Sequence, residues 1–400
     1  MSTLTQKKDI QKITYLFMIT YMVSYITRIN YGAIISEMVA STGISKSMLS
    51  LALTGSFATY GIGQIISGIC GDHFHPKKLL SYGLIASVVM NLIIPFCPGP
   101  MSMLVVWSVN GFAQAFMWPP LVKLMAELFS VEDYNRACVI IARGSSFGTI
   151  IIYLISPLII TVAGWRAVFI FSAVCGAIMI FLWNKMCPTI PIIKKQQAQT
   201  SGHAGVSLLS PLMLGIMLAI VLQGILRDGV TTWMPSYISE TYNLGSEISI
   251  LTGVVLPVFS MICYQIGSWL YKNKFNNPVT CAAVIFATGA LSSLSLYLLS
   301  GTNAAFSVLF SALLTGCMHG VNLMLISIIP GFFRKYGNVS TVSGVLNACT
   351  YIGSAVSTYG IAVIAENQGW HFTIFIWFLV AVAGTAVCVL CAKPWEKSEI

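Results

Sequence analysis

Long apolar stretches separated by short polar breaks follow one another along the whole chain. A helix that crosses a membrane needs about 20 predominantly apolar residues, and each stretch has roughly this length or more. The pattern therefore predicts twelve transmembrane helices. They are expected at residues 12–35, 47–70, 79–97, 102–126, 135–161, 166–186, 210–238, 247–271, 279–300, 304–330, 340–364 and 370–392.

The second half of the chain repeats the first. Matched positions lie 199 residues apart early in each half and 205 apart later: Arg28 with Arg227, Gly68 with Gly267, Gly148 with Gly353, and Gly164-Trp165 with Gly369-Trp370. A polar, Gln-rich run separates the halves. We therefore expect an all-α membrane protein of two pseudo-symmetric six-helix halves, 1–186 and 210–400, joined by a cytoplasmic linker at 187–209.

The composition agrees with a membrane protein, and the distribution of charge predicts its orientation in the membrane. The chain is 56% hydrophobic and only 8% charged, with a mean hydropathy of +0.83, whereas soluble domains are about 25% charged. Lysines and arginines concentrate in the segments on one side, and only Lys46 and Arg166 fall on the other. This excess predicts both termini in the cytoplasm of a cell (inner) membrane protein. The net charge of +9 then indicates topology and contact with membrane lipid, not nucleic-acid binding.

The eleven cysteines lie mostly within predicted spans, where they are typical of small packing residues. No disulfide, metal site or cofactor is predicted. We do not expect an enzyme, because the sequence has no metal-ligand cluster, nucleophile elbow or nucleotide-binding loop.

Two predicted helices carry a lone arginine. Arg28 stands in an otherwise uncharged stretch from Ile13 to Ser36, and Arg227 holds the matching place in the seventh helix. A charge at the middle of a span costs about 3 kcal/mol or more. Because a guanidinium group binds phosphate or carboxylate through two parallel hydrogen bonds, the pair predicts an anion site. Helical spacing puts Tyr21 and Tyr25 on the face of Arg28, where they either line that site or serve packing.

Asp228 is the only carboxylate in the interior of a predicted span. Adjacent residues of a helix point about 100° apart, so Asp228 is not expected to share the direction of Arg227 fully. Three interpretations stay open for it. It is a protonatable coupling group, a partner that neutralises an arginine in one state of a cycle, or a local structural charge partner.

Other polar residues of the spans are candidates for lining the cavity, although helix-packing hydrogen bonds account for them equally well. The candidates are Gln64, Ser145, Asn322 and Tyr351. Arg143 either adds a third positive charge or reaches the cytoplasmic surface, and His319 is either a proton relay or a satisfied buried histidine. Charged residues at the cytoplasmic ends predict gate contacts, with ordinary loop charge as the alternative; they are Asp72, Lys77 and Arg136.

Several segments resemble the organophosphate:phosphate antiporter family of the major facilitator superfamily, and the resemblance covers nearly the whole chain. They are Tyr25-Ile26-Thr27-Arg28-Ile29-Asn30, Asn110-Gly111-Phe112-Ala113-Gln114 with Trp118-Pro119-Pro120, and Arg227-Asp228-Gly229 with Trp233-Met234-Pro235-Ser236-Tyr237. The Gly68-Ile69-Cys70-Gly71-Asp72 segment is similar to the superfamily's loop motif.

This resemblance implies that Arg28 and Arg227 clamp a substrate phosphate from the two halves, with Tyr21 and Tyr25 nearby. It also implies alternating access and the exchange of inorganic phosphate for an organic phosphate ester. Two arginines without an anion repel, which would disfavour an empty occluded state and enforce exchange. The chain departs from the glycerol-phosphate exchangers at Gln64 and Ser145, where that family carries lysine and histidine.

The expected ligands are thus a small organic anion and inorganic phosphate, carried by a monomer in lipid. Two alternatives remain. One is a proton-coupled carboxylate symporter that uses Asp228, and the other is a membrane sensor of a sugar phosphate.

Overall fold

A computed structural model describes residues 6–44, 46–188, 208–243 and 246–398. Most of the predicted linker, 187–209, lies outside these ranges. The described residues form helices joined by short turns, as the apolar pattern predicts.

The first half of the sequence contributes eight helices to the described residues. They are α1 (Lys7–Ala33), α2 (Ile35–Thr42), α3 (Lys46–His73), α4 (Pro76–Ile93), α5 (Pro100–Gln114), α6 (Trp118–Leu128), α7 (Val131–Ala163) and α8 (Trp165–Met186).

The second half contributes six. They are α9 (Pro211–Tyr242), α10 (Ser246–Leu270), α11 (Pro278–Leu299), α12 (Ala304–Asn322), α13 (Ile329–Phe332) and α14 (Val339–Lys397).

Helix starts follow local chemistry. Ser210 accepts a hydrogen bond from the Met213 amide at 3.3 Å before α9, and Asn277 accepts from the Val279 amide at 2.9 Å before α11. Each cap satisfies an amide that has no partner inside its helix. Proline occupies the first turn of both helices, where its missing N–H costs nothing.

Eight helical stretches of the described residues are long and apolar enough to cross a membrane. They are Pro76–Phe96, Val131–Ala163, Trp165–Met186, Pro211–Met234, Pro278–Leu299, Ala304–Tyr336, Val339–Ser357 and Asn367–Lys397. The chain is therefore a multi-pass membrane protein. The other predicted spans are also helical, in α1, α3, α5 with α6, and α10.

Two predicted spans differ in detail from the structure. The fourth, 102–126, consists of α5 and α6, because Pro119 and Pro120 start a new helix. The tenth contains a π-helical turn, Leu323–Ile328, directly after Asn322. The last two spans, both within α14, are two helices that meet at Gly369, whose backbone is not helical.

By its contacts the chain forms two units. Unit 1 comprises Met1–Gly202 and Phe333–Ala348, and unit 2 comprises His203–Phe332 and Cys349–Ile400. In unit 1, α3 packs along α5, α1 along α7, and α4 along α8. In unit 2, α12 packs against α9, α10 and α11. The segment 333–348 thus packs with unit 1, although the sequence repeat places it in the second half.

The repeat found in the sequence recurs in the packing inside each unit. A Cβ atom added to Gly148 of α7 would overlap the carbonyl oxygen of Met22 in α1, and one added to Gly353 of α14 would overlap that of Val221 in α9. Met22 and Val221 each lie six residues before the lone arginine of their helix. Equivalent glycines therefore let a neighbouring helix approach at equivalent places.

The Gly-Trp pairs repeat as well. Gly164 has φ 75° and ψ 171° before Trp165, and Gly369 has φ 79° and ψ 172° before Trp370. Only glycine adopts such angles without strain. The same turn therefore begins the last helix of each repeat.

We expect Gly353→Ala to destabilise the protein by about 3 kcal/mol, because the new methyl group meets backbone that cannot yield. The control is Gly360→Ala in the same helix, where an added Cβ atom meets nothing within 4 Å. That substitution should be neutral or stabilising by up to about 1 kcal/mol. Thermal unfolding in detergent measures both. Equal melting temperatures for the two variants would contradict the close approach.

Candidate functional site

Arg28 is held by aromatic rings in unit 1. Its guanidinium carbon lies 4.2 Å from the ring centre of Tyr25, one turn earlier in α1, and 4.7 Å from that of Tyr60 in α3. Arg28 is half-buried, whereas Tyr60 is fully buried. Cation–π contacts of this kind orient a guanidinium group and offset part of its burial without consuming its N–H donors. The rings of Tyr25 and Tyr60 therefore hold the guanidinium group of Arg28 in place.

Tyr21 extends this aromatic surface as predicted. Its hydroxyl lies 3.5 Å from that of Tyr25, and its ring centre lies 4.9 Å from that of Trp118 in α6. It also interacts electrostatically with Arg28. The structure thus brings the predicted residues Tyr21, Tyr25 and Arg28 together.

A buried network of polar side chains lies directly behind Arg28. The Asn30 amide donates to Asn91 of α4 at 2.7 Å and to Ser172 of α8 at 2.9 Å. Asn91 in turn donates to the carbonyl of Thr27 at 2.9 Å. All of these side chains are essentially inaccessible to solvent. Because Thr27 precedes Arg28, the network fixes the helical segment that carries the arginine.

The Asn110-to-Gln114 motif belongs to the same network. Asn110 donates to the Thr27 carbonyl at 3.2 Å, and Gln114 donates to the Thr27 hydroxyl at 2.8 Å and to Ser87 at 2.7 Å. The sequence alone assigns this motif no role. The available signal was a set of amide side chains inside apolar stretches, which require partners there.

Asn91→Leu should destabilise the protein by about 3 kcal/mol, because it leaves donors and acceptors of α1 unsatisfied in the interior. Melting temperature in detergent measures the effect. Asn367→Leu is the control, since Asn367 is exposed and donates to Val363 of its own helix. A melting temperature for Asn91→Leu within error of the control would contradict a rigid support for Arg28.

Arg227 is paired within unit 2. Its Nε donates to one carboxylate oxygen of Asp228 at 2.7 Å, and a terminal nitrogen donates to the other at 2.8 Å. The expectation that adjacent residues would not share a direction is wrong here. The long arginine side chain curls back, so two neighbours form a bidentate pair. Both side chains keep partial exposure, 15% for Arg227 and 30% for Asp228.

Asp228 also contacts α14. The Ser354 hydroxyl shares its one proton between the second carboxylate oxygen of Asp228 and the Thr350 carbonyl, 2.9 Å away. A Cβ atom on Gly224 would overlap that same Thr350 carbonyl. Close packing of α9 on α14 therefore sets the position of the Asp228 partner.

His319 lies near this pair. Its Nδ1 is 3.1 Å from the Ser260 hydroxyl and 2.9 Å from the Thr315 carbonyl. It interacts electrostatically with Arg227 and Asp228. One ring nitrogen thus has two protein partners, which agrees with a histidine satisfied by packing. Its role as a proton relay stays a prediction.

Two candidates for the cavity lining, Gln64 and Ser145, make packing hydrogen bonds. Gln64 is fully buried, donates to the Ala115 carbonyl at 3.3 Å and accepts from Asn347 at 2.9 Å. Ser145 is buried and donates to the Ala142 carbonyl of its own helix at 2.7 Å. These hydrogen bonds agree with the helix-packing alternative, because buried polar groups must find partners in the protein. Substrate contact by Gln64 and Ser145 stays a prediction.

The remaining candidates are half-buried. Asn322 ends α12 at the π-helical turn, a kind of irregularity that often marks functional sites. Tyr351 lies in α14 between Thr350 and the Ser354 that bonds Asp228. Arg143 is half-buried within α7.

The predicted gate residue Asp72 closes a polar cluster inside unit 1. Its carboxylate accepts from the backbone amides of Ser340 at 3.0 Å and Thr341 at 2.7 Å, in the first turn of α14. Lys123 of α6 lies 3.4 Å from it and donates to the Gly337 carbonyl at 3.2 Å. Carboxylates are stabilised at such helix N-termini by the unpaired amides and the helix dipole.

Lys77, also predicted as a gate residue, contacts α8. It donates to the carbonyls of Asn184 and Cys187, at 3.1 and 2.5 Å, and so caps the end of that helix. The cation beside Asp72 is Lys123. Sequence reasoning missed it because it falls inside the apolar fourth span, although the Lys123–Glu127 spacing of four residues is an ion-pair signal. Arg136 is exposed, and its role as a gate residue stays a prediction.

The chain is similar to known proteins along most of its length. The family model of the Major Facilitator Superfamily matches residues 17–358 of its sequence. A probable hexose phosphate transport protein of Chlamydia muridarum (strain MoPn / Nigg) is 22% identical, with 97% of this chain and 91% of that protein aligned. The membrane sensor protein UhpC of Salmonella typhimurium (strain LT2) is 24% identical, with 92% and 88% aligned.

Solved structures agree on the fold. The proton:xylose symporter XylE superposes with a TM-score of 0.75 at 13% identity, covering 96% of this chain and 95% of the symporter. At that identity the likeness concerns the arrangement of helices alone.

Proposed function

The chain belongs to the major facilitator superfamily, and on that premise we propose that it carries an organic phosphate ester across a membrane. The all-helical fold predicted from the sequence is that of the superfamily. The proposed mechanism is secondary active transport by alternating access, with inorganic phosphate as the counter-anion.

One observation carries the proposal: each unit presents one guanidinium group at equivalent positions of the repeat. Arg28 is stacked on Tyr25 and Tyr60, and Arg227 is already in bidentate contact with a carboxylate. A carboxylate and a phosphate use the same planar fork of donors. The relative named as a probable hexose phosphate transport protein supports a phosphate ester as the anion.

The orientation that we propose rests on the positive-inside pattern, and the class of protein rests on the lack of catalytic motifs in the sequence. We infer a transporter and not an enzyme, working as a monomer in a cell membrane with both termini in the cytoplasm. The lipid contact proposed is with anionic headgroups at the lysine-rich cytoplasmic ends.

Purified protein in proteoliposomes tests this function. Vesicles loaded with inorganic phosphate should take up labelled hexose 6-phosphate, and vesicles without internal phosphate should take up much less. The same vesicles should not accumulate labelled hexose. Uptake of hexose at the rate of its phosphate ester would contradict the proposal.

Two alternatives give different results in that assay. A carboxylate symporter, for which Asp228 is the candidate proton site, would respond to an imposed pH gradient without internal phosphate. A sensor, which the relative named UhpC favours, would bind the phosphate ester without moving it.

A further inference from the structure

Arg227 contacts Asp228 in the same geometry in which arginine binds a free anion. Two parallel N–H to oxygen contacts, at 2.7 and 2.8 Å, join the guanidinium group to the carboxylate. This is how arginine binds a phosphate as well as a carboxylate. A cargo phosphate and Asp228 would therefore compete for the same edge of Arg227.

The surroundings of Asp228 make displacement feasible. The pair is partly exposed, as displacement by an anion requires. The Ser354 hydroxyl of α14 also donates to Asp228, and this contact does not depend on Arg227. When Arg227 turns to a ligand, the carboxylate thus keeps one donor and is not left without a partner.

We propose that Asp228 is an internal counter-anion, which neutralises Arg227 when no cargo is bound and is displaced by the phosphate group of the cargo. The inference rests on the proposed function and deepens it. An unpaired guanidinium group in a protein interior is costly, and pairing removes much of that cost. With Asp228 in place, the empty protein changes access more readily, so net transport accompanies exchange.

This conclusion changes an expectation from the sequence. Two arginines without an anion were expected to enforce strict exchange by repulsion. A carboxylate beside Arg227 lowers the net positive charge at the site when no cargo is bound, and so weakens the repulsion between the two arginines. Exchange should still be faster than net flux, because cargo phosphate satisfies the arginines better than a tethered aspartate does.

Asp228→Asn removes the competing charge and keeps the shape. We expect its dissociation constant for inorganic phosphate to fall about tenfold. Its net efflux of labelled phosphate into phosphate-free buffer should fall at least about tenfold relative to phosphate–phosphate exchange. Glu240→Gln is the matched control, because Glu240 is an exposed carboxylate of the same helix that accepts from Trp370 at 2.7 Å.

Ser354→Ala gives an independent test with the opposite sign. It removes the donor that supports displaced Asp228, so phosphate should bind about threefold more weakly, while net flux persists. This variant keeps the charge pair and so decides the matter even where Asp228→Asn does not fold.

The outcomes separate this inference from the function on which it rests. Exchange and binding by the wild type, with both variants behaving like Glu240→Gln, would overturn the internal counter-anion alone. Net flux that follows a pH gradient and vanishes together with exchange in Asp228→Asn would overturn it in favour of a proton site. A wild type that neither binds nor exchanges phosphate would overturn the proposed function itself.

Discussion

Arg28→Lys is expected to lower kcat/KM for phosphate-ester transport about a hundredfold, and Arg227→Lys should act in the same direction. Lysine keeps the positive charge but loses the planar fork, which contributes about 3 kcal/mol when both of its hydrogen bonds reach an anion. Initial rates of hexose 6-phosphate uptake in proteoliposomes measure the effect.

The chain offers a matched control for this prediction. Arg166 also stacks on a neighbouring aromatic ring, 4.4 Å from the ring centre of Trp165, and it donates to the Pro95 carbonyl at 3.0 Å. Arg166→Lys should leave kcat/KM within about twofold of the wild type, since Arg166 lies outside the proposed site. Equal losses in Arg28→Lys and Arg166→Lys would show that stacking, and not anion binding, explains the first result.

The second large effect is expected at the Asp72 cluster. Asp72→Ala leaves the amides of Ser340 and Thr341 without their acceptor and removes one partner of Lys123. Breaking a buried charge cluster costs about 3–5 kcal/mol. Hydrogen exchange of the amides in residues 339–348 should therefore accelerate at least about tenfold, and transport should slow because a gate contact can no longer form.

Glu127→Gln is the control for the cluster. Glu127 contacts the same lysine at 3.2 Å, but its side chain is 21% exposed against 5% for Asp72. A partly exposed ion pair within one helix contributes only about 0.5 kcal/mol. If amide hydrogen exchange in residues 339–348 accelerates equally in Asp72→Ala and Glu127→Gln, Asp72 is not the cap of α14.

The fold was largely predictable because membrane helices are recognisable in a sequence by their length and apolarity. The repeat was predictable because the glycines that permit close packing, and the glycines of the Gly-Trp turns, recur at matching positions of the sequence. The division of the fourth span into α5 and α6 was also marked, by Pro119 and Pro120, but apolarity alone hides such a break.

The site was predictable only where a residue type is costly. Arg28 and Arg227 stand out because charge in a span requires a reason. For Gln64 and Ser145 the sequence left packing and ligand contact open, because an uncharged polar side chain is satisfied equally well by other groups of the protein. The Arg227–Asp228 contact depends on side-chain rotamers, about which helical spacing gives no information.

The cluster around Asp72 and the network behind Arg28 were missed for a common reason. Both join residues far apart in sequence, such as Asn30 with Ser172 and Lys123 with Gly337. One sequence read alone contains no signal for such pairs. The type of each residue indicates only that its polar group needs a hydrogen-bond partner, and not which residue that partner is.

The central claim is that the arginines bind the charged group of the cargo. Binding of hexose 6-phosphate to the purified full chain in detergent, with inorganic phosphate and hexose as competitors, tests it most directly. We predict that phosphate displaces the bound ester completely and that hexose does not displace it. Displacement by hexose and none by phosphate would contradict the account.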